Sequence, residues 1–383
     1  MIARRVKLRL TRPQTAALDG WLWSCTGVWN WALAKLLERE QAWQRFRDET
    51  PPPAWAKGAR NPKWLASVPG GTTPTAYELY ALLNGHSKRM GLPIDLLRGV
   101  VDDVVRAHQE YRRGEKGRPK WKGKRNRLNS LRIKSCVRLV DDHHLTLPTI
   151  GAVKICSQKD LVDLCANGVK QARLQRLPRG WYLTLQVDAA PKAIPLVSDE
   201  TVGIDFGFTT LATLSTGEKI ANPAEYRRLE QRIGQAARGR HRRLLAALQQ
   251  RLSNARRVRN HQISRDLVSR HQVLYVSRDN LKGLQRTFGK SVHAAAIGQL
   301  LGTLAAKCRQ AGRVYVEVNP KQSTRTCSTC GALSGPTGQP GLSVRQWECG
   351  ACGAPHDRDI NAAINTLRAG AASALRVTAR AAA

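Results

Sequence analysis

Four cysteines near the end of the chain constrain it most: Cys327 and Cys330, then eighteen residues, then Cys349 and Cys352. Each Cys-x2-Cys pair is spaced to grip one metal ion from a tight turn, and four thiolates complete a closed tetrahedron. Gly331 and Gly353 follow the two pairs, as the backbone geometry of such knuckles requires. The spacing predicts structural zinc on Cys327, Cys330, Cys349 and Cys352. A redox dithiol accounts for one pair but not for two, whereas the spacing alone leaves an iron–sulfur cluster open. A closed site contributes folding energy and offers no position to a substrate, so chemistry has to come from elsewhere. The remaining five cysteines are scattered, and the odd total of nine suits a reducing compartment better than a disulfide framework.

Charge narrows the partner. The 383 residues hold 63 Lys and Arg against 28 Asp and Glu, a formal charge of +35. Self-repulsion on this scale destabilises a compact chain unless something neutralises it, so a polyanion is the expected ligand. The opening "MIARRVKLRL" has no apolar signal core, and no run approaches the ~20 apolar residues of a membrane span. The expectation is a soluble, cytoplasmic protein without membrane contact, at the nucleoid when bound to DNA.

Residues 5–10 alternate basic and apolar, and a Thr-Arg-Pro start signal then opens a helical pattern. Residues 48–74, rich in Pro and Gly, read as a loop, after which 75–113 return to helical spacing. Residues 112–134 carry eleven basic side chains, one acid and Trp121. Cations among small residues can line a phosphate backbone while an aromatic stacks a base; a solvated basic linker is the plainer alternative. Short alternating runs then predict an antiparallel, barrel-like module, split if the strand at 5–10 belongs to it. From about 196 onward, strands alternate with helices, including a long basic helical stretch from Glu225 to Arg270, which predicts an α/β domain with a mixed sheet.

Three acids stand out in that domain. Asp205, in "VGIDFGFTT", ends an apolar strand, where burial is costly without a cation or hydrogen bonds. Asp279, in "VLYVSRDNLKGL", follows another apolar strand. Asp359, in "HDRDINAAINTL", lies near the first turn of a helix, where capping by Asp357 or Asp359 is the ordinary role. As a set, such acids can hold hard cations that clamp a phosphodiester.

These segments resemble the TnpB proteins of bacterial and archaeal insertion sequences, relatives of the compact type V CRISPR effectors. The resemblance is carried by "GIDFGFTTLATLSTGE", "VNPKQSTRTCSTCG", "WECGACGAPHDRDINAAINTL", "RRVKLRLTRPQTAALDGWLWSCTGVWNWAL" and "GRPKWKGKRNRLNSLRIK", in family order from residue 4 to 367. It implies an α/β plus α+β fold: an RNase H-like RuvC domain with an inserted zinc ribbon, and an oligonucleotide-binding-type β-barrel split by a helical recognition lobe. The implied domains are 1–10 plus 128–195 for the barrel, 11–127 for the lobe, and 196–383 for the RuvC domain with its ribbon at 322–355. The resemblance also implies a bound guide RNA and magnesium-dependent cutting of double-stranded DNA that pairs with it beside a short flanking motif. Such a protein belongs to a transposable element.

Asp205 matches the family's first acid and Asp359 its third. The second is ordinarily Glu; aligning on "DNL" places Asp279 there, while a frame shifted by two places Ser277. The first frame keeps an acid together with Asn280 and Leu281 and is preferred. The second would leave an RNA-guided DNA-binding protein that does not cut. Arg118, Lys120, Trp121, Lys122, Lys124, Arg125 and Arg127 are the expected nucleic-acid contacts, and His356 could at most orient a neighbouring ligand. A strand transposase would need a Tyr or Ser nucleophile, and Tyr275 is expected to pack inside a strand instead.

Overall fold

The computed structural model describes the chain except for residues 1, 51–74, 134–136, 157–160, 191–192, 223–224, 279, 282, 284–288, 290–294, 320, 342 and 383. Two compact units divide it, Met1–Pro191 and Lys192–Ala383.

In the first unit, β1 (Ile2–Arg9) leads into α1 (Arg12–Glu49). The start signal read in the sequence is a full capping box: Thr11 Oγ1 accepts from Gln14 N–H at 3.3 Å, and Gln14 Oε1 accepts from Thr11 N–H at 3.1 Å. Next come α2 (Ala76–Ala81), α3 (His86–Met90) and α4 (Ile94–Arg112). The strands β2 (Ser130–Ile133), β3 (Arg138–Leu139), β4 (His144–Leu147) and β5 (Gly151–Ile155) follow. After α5 (Leu161–Leu164), β6 (Val169–Leu177) and β7 (Gly180–Val187) complete the unit.

These seven strands form one sheet in the order β2-β6-β7-β1-β5-β4-β3, with every pairing antiparallel. Alternation sets the buried face: Trp181, Leu183, Leu185 and Val187 of β7 all point into a core shared with Leu18, Leu22, Leu33 and Leu36 of α1. The barrel expected from the resemblance does not close. Closure would need the end strands to share a ladder; among the described residues β2 bonds only to β6, and β3 only to β4. At two residues long, β3 has little edge to offer, and α4 lies against β2. There a Cβ on Gly99 would stand 3.1 Å from the Arg132 carbonyl oxygen. The unit is an open antiparallel sheet with helices, not an oligonucleotide-binding barrel.

The second unit opens with β8 (Glu200–Phe206), β9 (Thr210–Leu214) and β10 (Lys219–Ala221). The basic helical stretch read from 225 to 270 consists of two helices, α6 (Glu225–Arg238) and α7 (Arg242–Arg270). Arg240, at φ +52°, breaks the helix between them. Then follow β11 (His271–Ser277), α8 (Ile297–Ala311), β12 (Val314–Val318), α9 (Gly338–Gly341), β13 (Gln346–Glu348), β14 (Pro355–Asp357) and α10 (Arg358–Ala382).

The main sheet runs β10-β9-β8-β11-β12, with β8, β11 and β12 parallel and the β8–β9–β10 meander antiparallel. One face of β8 and β11 accepts α10 at very close range. A Cβ on Gly203 would fall 2.3 Å from the Ala363 carbonyl oxygen, and one on Gly370 would fall 2.0 Å from Tyr275 Cδ1. Gly203→Ala is therefore expected to destabilise this unit by about 1–3 kcal/mol or more, since backbone and not a flexible tip would have to move. Calorimetry should register it as a lowered Tm for this unit. Tyr275 is buried under α10, as its strand position led us to expect.

Candidate functional site

Two arrays of chemically capable residues lie in the second unit, joined by α10. The first is the cysteine module. Its knuckles are near copies: Gly331 N–H bonds the Cys327 carbonyl at 2.9 Å, Gly353 N–H bonds that of Cys349 at 2.8 Å, and both glycines have positive φ, +83° and +70°. The sulfurs of Cys327, Cys330, Cys349 and Cys352 lie within 4.8 Å of one another, with Cys327 to Cys352 and Cys330 to Cys349 both 3.7 Å apart. A tetrahedron of thiolates about 2.3 Å from a central ion would space them at about 3.8 Å, so the set fits a single metal ion. Burial opposes ionisation of Cys327, but the N–H groups of Cys330 and Thr329 and the His356 ring outweigh it and pull the thiol down to about 5. Ser334, 3.0 Å from Cys349 Sγ, is the main cause that lowers that thiol too. His356 Nε2 lies 3.0 Å from Cys327 Sγ, and its ring packs on Trp347 at 4.6 Å. It therefore serves a cysteine.

α10 is latched to this module. Asn361 Oδ1 accepts from Ser328 N–H at 2.8 Å, while its amide donates to Ser323 and Thr326 carbonyls at 3.1 and 2.8 Å. Asn365, one turn later, donates to the same two carbonyls at 2.8 and 2.7 Å. With Asn361 only 1% exposed, losing these bonds would strand buried polar groups.

The second array gathers where α10 begins. Capping falls to Asp357, whose Oδ1 accepts from Asp359 and Ile360 N–H, both at 3.1 Å. Burial works against its ionisation, but the Lys219 ammonium 2.6 Å away and those two N–H groups hold its carboxyl below the usual range. Asp359 is thereby released from capping. Its carboxylate faces Arg345, 3.4 Å away, whose other nitrogen donates to Thr209 Oγ1 at 3.3 Å in the turn just after β8. Arg345 is brought there by backbone pairing, Arg358 N–H to the Arg345 carbonyl at 2.8 Å, which extends the β13–β14 ribbon.

Asp205 stands near the carboxyl end of central β8, half-buried. It opposes Thr213, which in turn opposes Lys219, the partner of Asp357. Thus Asp205 and Asp359 are brought to one end of the sheet, the end where the parallel strands terminate and where α/β folds place their sites. The neighbouring strand end carries Ser277, 1% exposed, whose Oγ accepts from Phe206 N–H at 3.2 Å. Ser277 is occupied with backbone. Asp279, two residues further on, lies outside the described residues.

Arg118, Lys120, Trp121, Lys122, Lys124, Arg125 and Arg127 are in the first unit, in the connection between α4 and β2, and all but Lys122 are exposed. Sequence reasoning missed Arg345, Asn361 and Asn365. The i, i+4 asparagines were a readable signal on a helix; a lone Arg before a cysteine pair was not. Among the described residues, no helix is long and apolar enough to cross a membrane.

Comparison with known proteins bears on the same regions. Residues 298–366 match the model of the Cas12f1-like TNB domain. A "putative RNA-guided DNA endonuclease" of Streptomyces pristinaespiralis is 35% identical over 208 residues, half of this chain and half of that protein. The "putative RNA-guided DNA endonuclease InsQ" of Escherichia coli K12 aligns over 96% of this chain and 92% of its own length at 21% identity. Region by region, the chain is similar to Cas12f1-like proteins and to proteins described as putative RNA-guided DNA endonucleases. Another relative, the "CRISPR-associated endodeoxyribonuclease Cas12f1" of Sulfoacidibacillus thermotolerans, is 23% identical over 54% of this chain and 56% of its own. The fold likeness reaches further than these last identities: a solved Cas12f1-sgRNA-target DNA complex contains a chain that superposes over 93% of this one and 83% of itself, with a TM-score of 0.53 at 13% identity.

Proposed function

We propose that the chain is an RNA-guided, magnesium-dependent DNA endonuclease, carried by a transposable element, that cuts guide-matched double-stranded DNA beside a short flanking motif. The observation that carries this reading is the convergence of Asp205 and Asp359 at the carboxyl end of the parallel strands, with Asp357 taking over the capping duty. Residues 196–383 would hold the chemistry and the first unit much of the nucleic acid. Zinc fills the cysteine set, consistent with four sulfurs at tetrahedral spacing.

Asp205, Asp279 and Asp359 offer oxygen donors of the kind magnesium takes. When bound there, magnesium supplies a Lewis acid for the phosphate and an acidified water as nucleophile. The protein's own part is to hold these carboxylates still. Arg345 adds a cation beside Asp359, and this half-exposed pair is worth roughly 0–1 kcal/mol. So small a contribution to stability favours a role toward phosphate, which a planar guanidinium grips well. Ser277 already bonds backbone, which favours Asp279 as the second acid.

A second reading, an RNA-guided DNA-binding protein that blocks without cutting, is favoured by Asp279 itself. Aspartate is one methylene, about 1.5 Å, shorter than the family's glutamate, and a misplacement of about 1 Å can cost about a hundredfold in rate. The test is cleavage of a guide-matched plasmid beside a randomised flank, by protein purified with its RNA, in magnesium and in EDTA. Cutting that needs magnesium, falls with Asp279→Ala and survives in Asp279→Glu supports the nuclease. Target binding without cutting in all three proteins sinks it.

A further inference from the structure

The connection between α4 and β2 has no regular secondary structure, yet its backbone is tied down residue by residue. Trp29 Nε1 donates to the Lys120 carbonyl at 3.1 Å. The Asn30 amide takes both backbone groups of Lys122, donating to its carbonyl and accepting from its N–H, each at 2.8 Å. Asn126 bonds the Trp121 carbonyl at 2.9 Å and accepts from Gly123 N–H at 2.7 Å, and Thr26 Oγ1 accepts from Leu128 N–H at 3.3 Å. The segment therefore runs antiparallel along α1, from Trp29 and Asn30 back to Thr26.

In the middle of this fixed backbone the Trp121 ring is 53% exposed, and so is Trp23 of α1. Positions 23, 26, 27 and 30 share one face of a helix, and Trp23 precedes Asn30 by about 10 Å along the axis. Between them Gly27 leaves the helix surface bare, with nothing within 4 Å of where a Cβ would stand. Lys120, Lys124, Arg125 and Arg127 belong to the same segment, exposed and without an acid partner among the described residues. Lys122 instead lies over the Trp29 ring, 5.1 Å from its centre.

We propose that this strip is a preformed site for an unpaired stretch of nucleic acid, with Trp121 and Trp23 as two base-stacking platforms and the four cations on the intervening phosphates. An indole held in water by a locked backbone loses little freedom when a base stacks on it, and stacking tolerates every base because each has a π-face. Base-paired nucleic acid keeps its bases stacked on each other and has none to offer. The site rests on the reading that the chain binds nucleic acid, and not on the reading that it cuts.

The test uses the full-length chain freed of RNA, with fluorescein-labelled oligouridylate, oligo-deoxythymidylate and a DNA duplex of equal length, titrated across a salt series. Trp121→Ala should weaken single-strand binding by roughly five- to a hundredfold, leave the salt slope and duplex binding unchanged, and be restored largely by Trp121→Phe. Replacing Lys124, Arg125 and Arg127 together by Ala should flatten the slope by about two units. Loss in only the RNA or only the DNA arm still supports the site and names its source. Binding by Trp121→Ala within twofold of wild type in both single-strand arms, or an equal loss for duplex, overturns it. Should Trp121→Ala misfold, crosslinking of wild type to 5-iodouridine RNA decides: adducts on Trp121 or Trp23 support the site, and a map without either overturns it.

Discussion

Asp205→Asn is expected to lower plasmid cleavage by roughly a hundredfold to a thousandfold, the scale on which loss of one preorganised electrostatic partner is felt. Binding of the guide-matched target should change by less than about twofold. Asparagine preserves the shape of the side chain at the end of β8 and removes only its charge, so the central strand keeps its pairing with β9 and β11. The comparison is made by single-turnover cleavage and by filter binding on the same preparation. Equal cleavage by both proteins would remove Asp205 from the site, and with it the convergence on which the nuclease reading stands.

Cys327→Ser is expected to have an effect of similar size from a greater distance. A metal on the four sulfurs would hold the knuckle that follows the Ser323 and Thr326 carbonyls, which receive the amides of Asn361 and Asn365. Without it, α10, which carries Asp359 in its first turn, would lose its latch, and cleavage should fall about a hundredfold although all three acids are intact. Zinc content by mass spectrometry should fall from one per chain toward none. The first unit should unfold as before, because its sheet and core are its own. Full activity in protein stripped of zinc would show that the latch does not govern Asp359.

The cysteine module was legible because its signal is local: two short spacings and two glycines fix its turns without reference to the rest of the chain. The start of α10 was half legible. Aspartates at 357 and 359 both suited a cap, and only the packed structure shows Asp357 taking the N–H groups while Asp359 turns to Arg345. Arg345 itself lies fourteen residues earlier, across a two-stranded ribbon, a distance that no periodicity reveals. The strands of the first unit were readable from alternation, but closure of a barrel depends on how long β3 is and on what lies against β2. Those are properties of neighbours, not of the strands. The break at Arg240 likewise reflects a left-handed residue inside a pattern that still reads as helix.

β1 lies between β7 and β5, so its ladders close only with residues made much later: Ile2 faces Val187 and Leu8 faces Ile155. At about 5–20 residues per second, a ribosome needs roughly ten to forty seconds to deliver β7 after β1 has emerged. Throughout that interval β1 is a strand with two open edges, the form most prone to pair with other chains. Arg4, Arg5, Lys7 and Arg9 alternate with or flank its apolar residues, and like charges on nascent neighbours repel. The cations of the first strand thus protect the chain during its synthesis, before there is a fold for them to decorate.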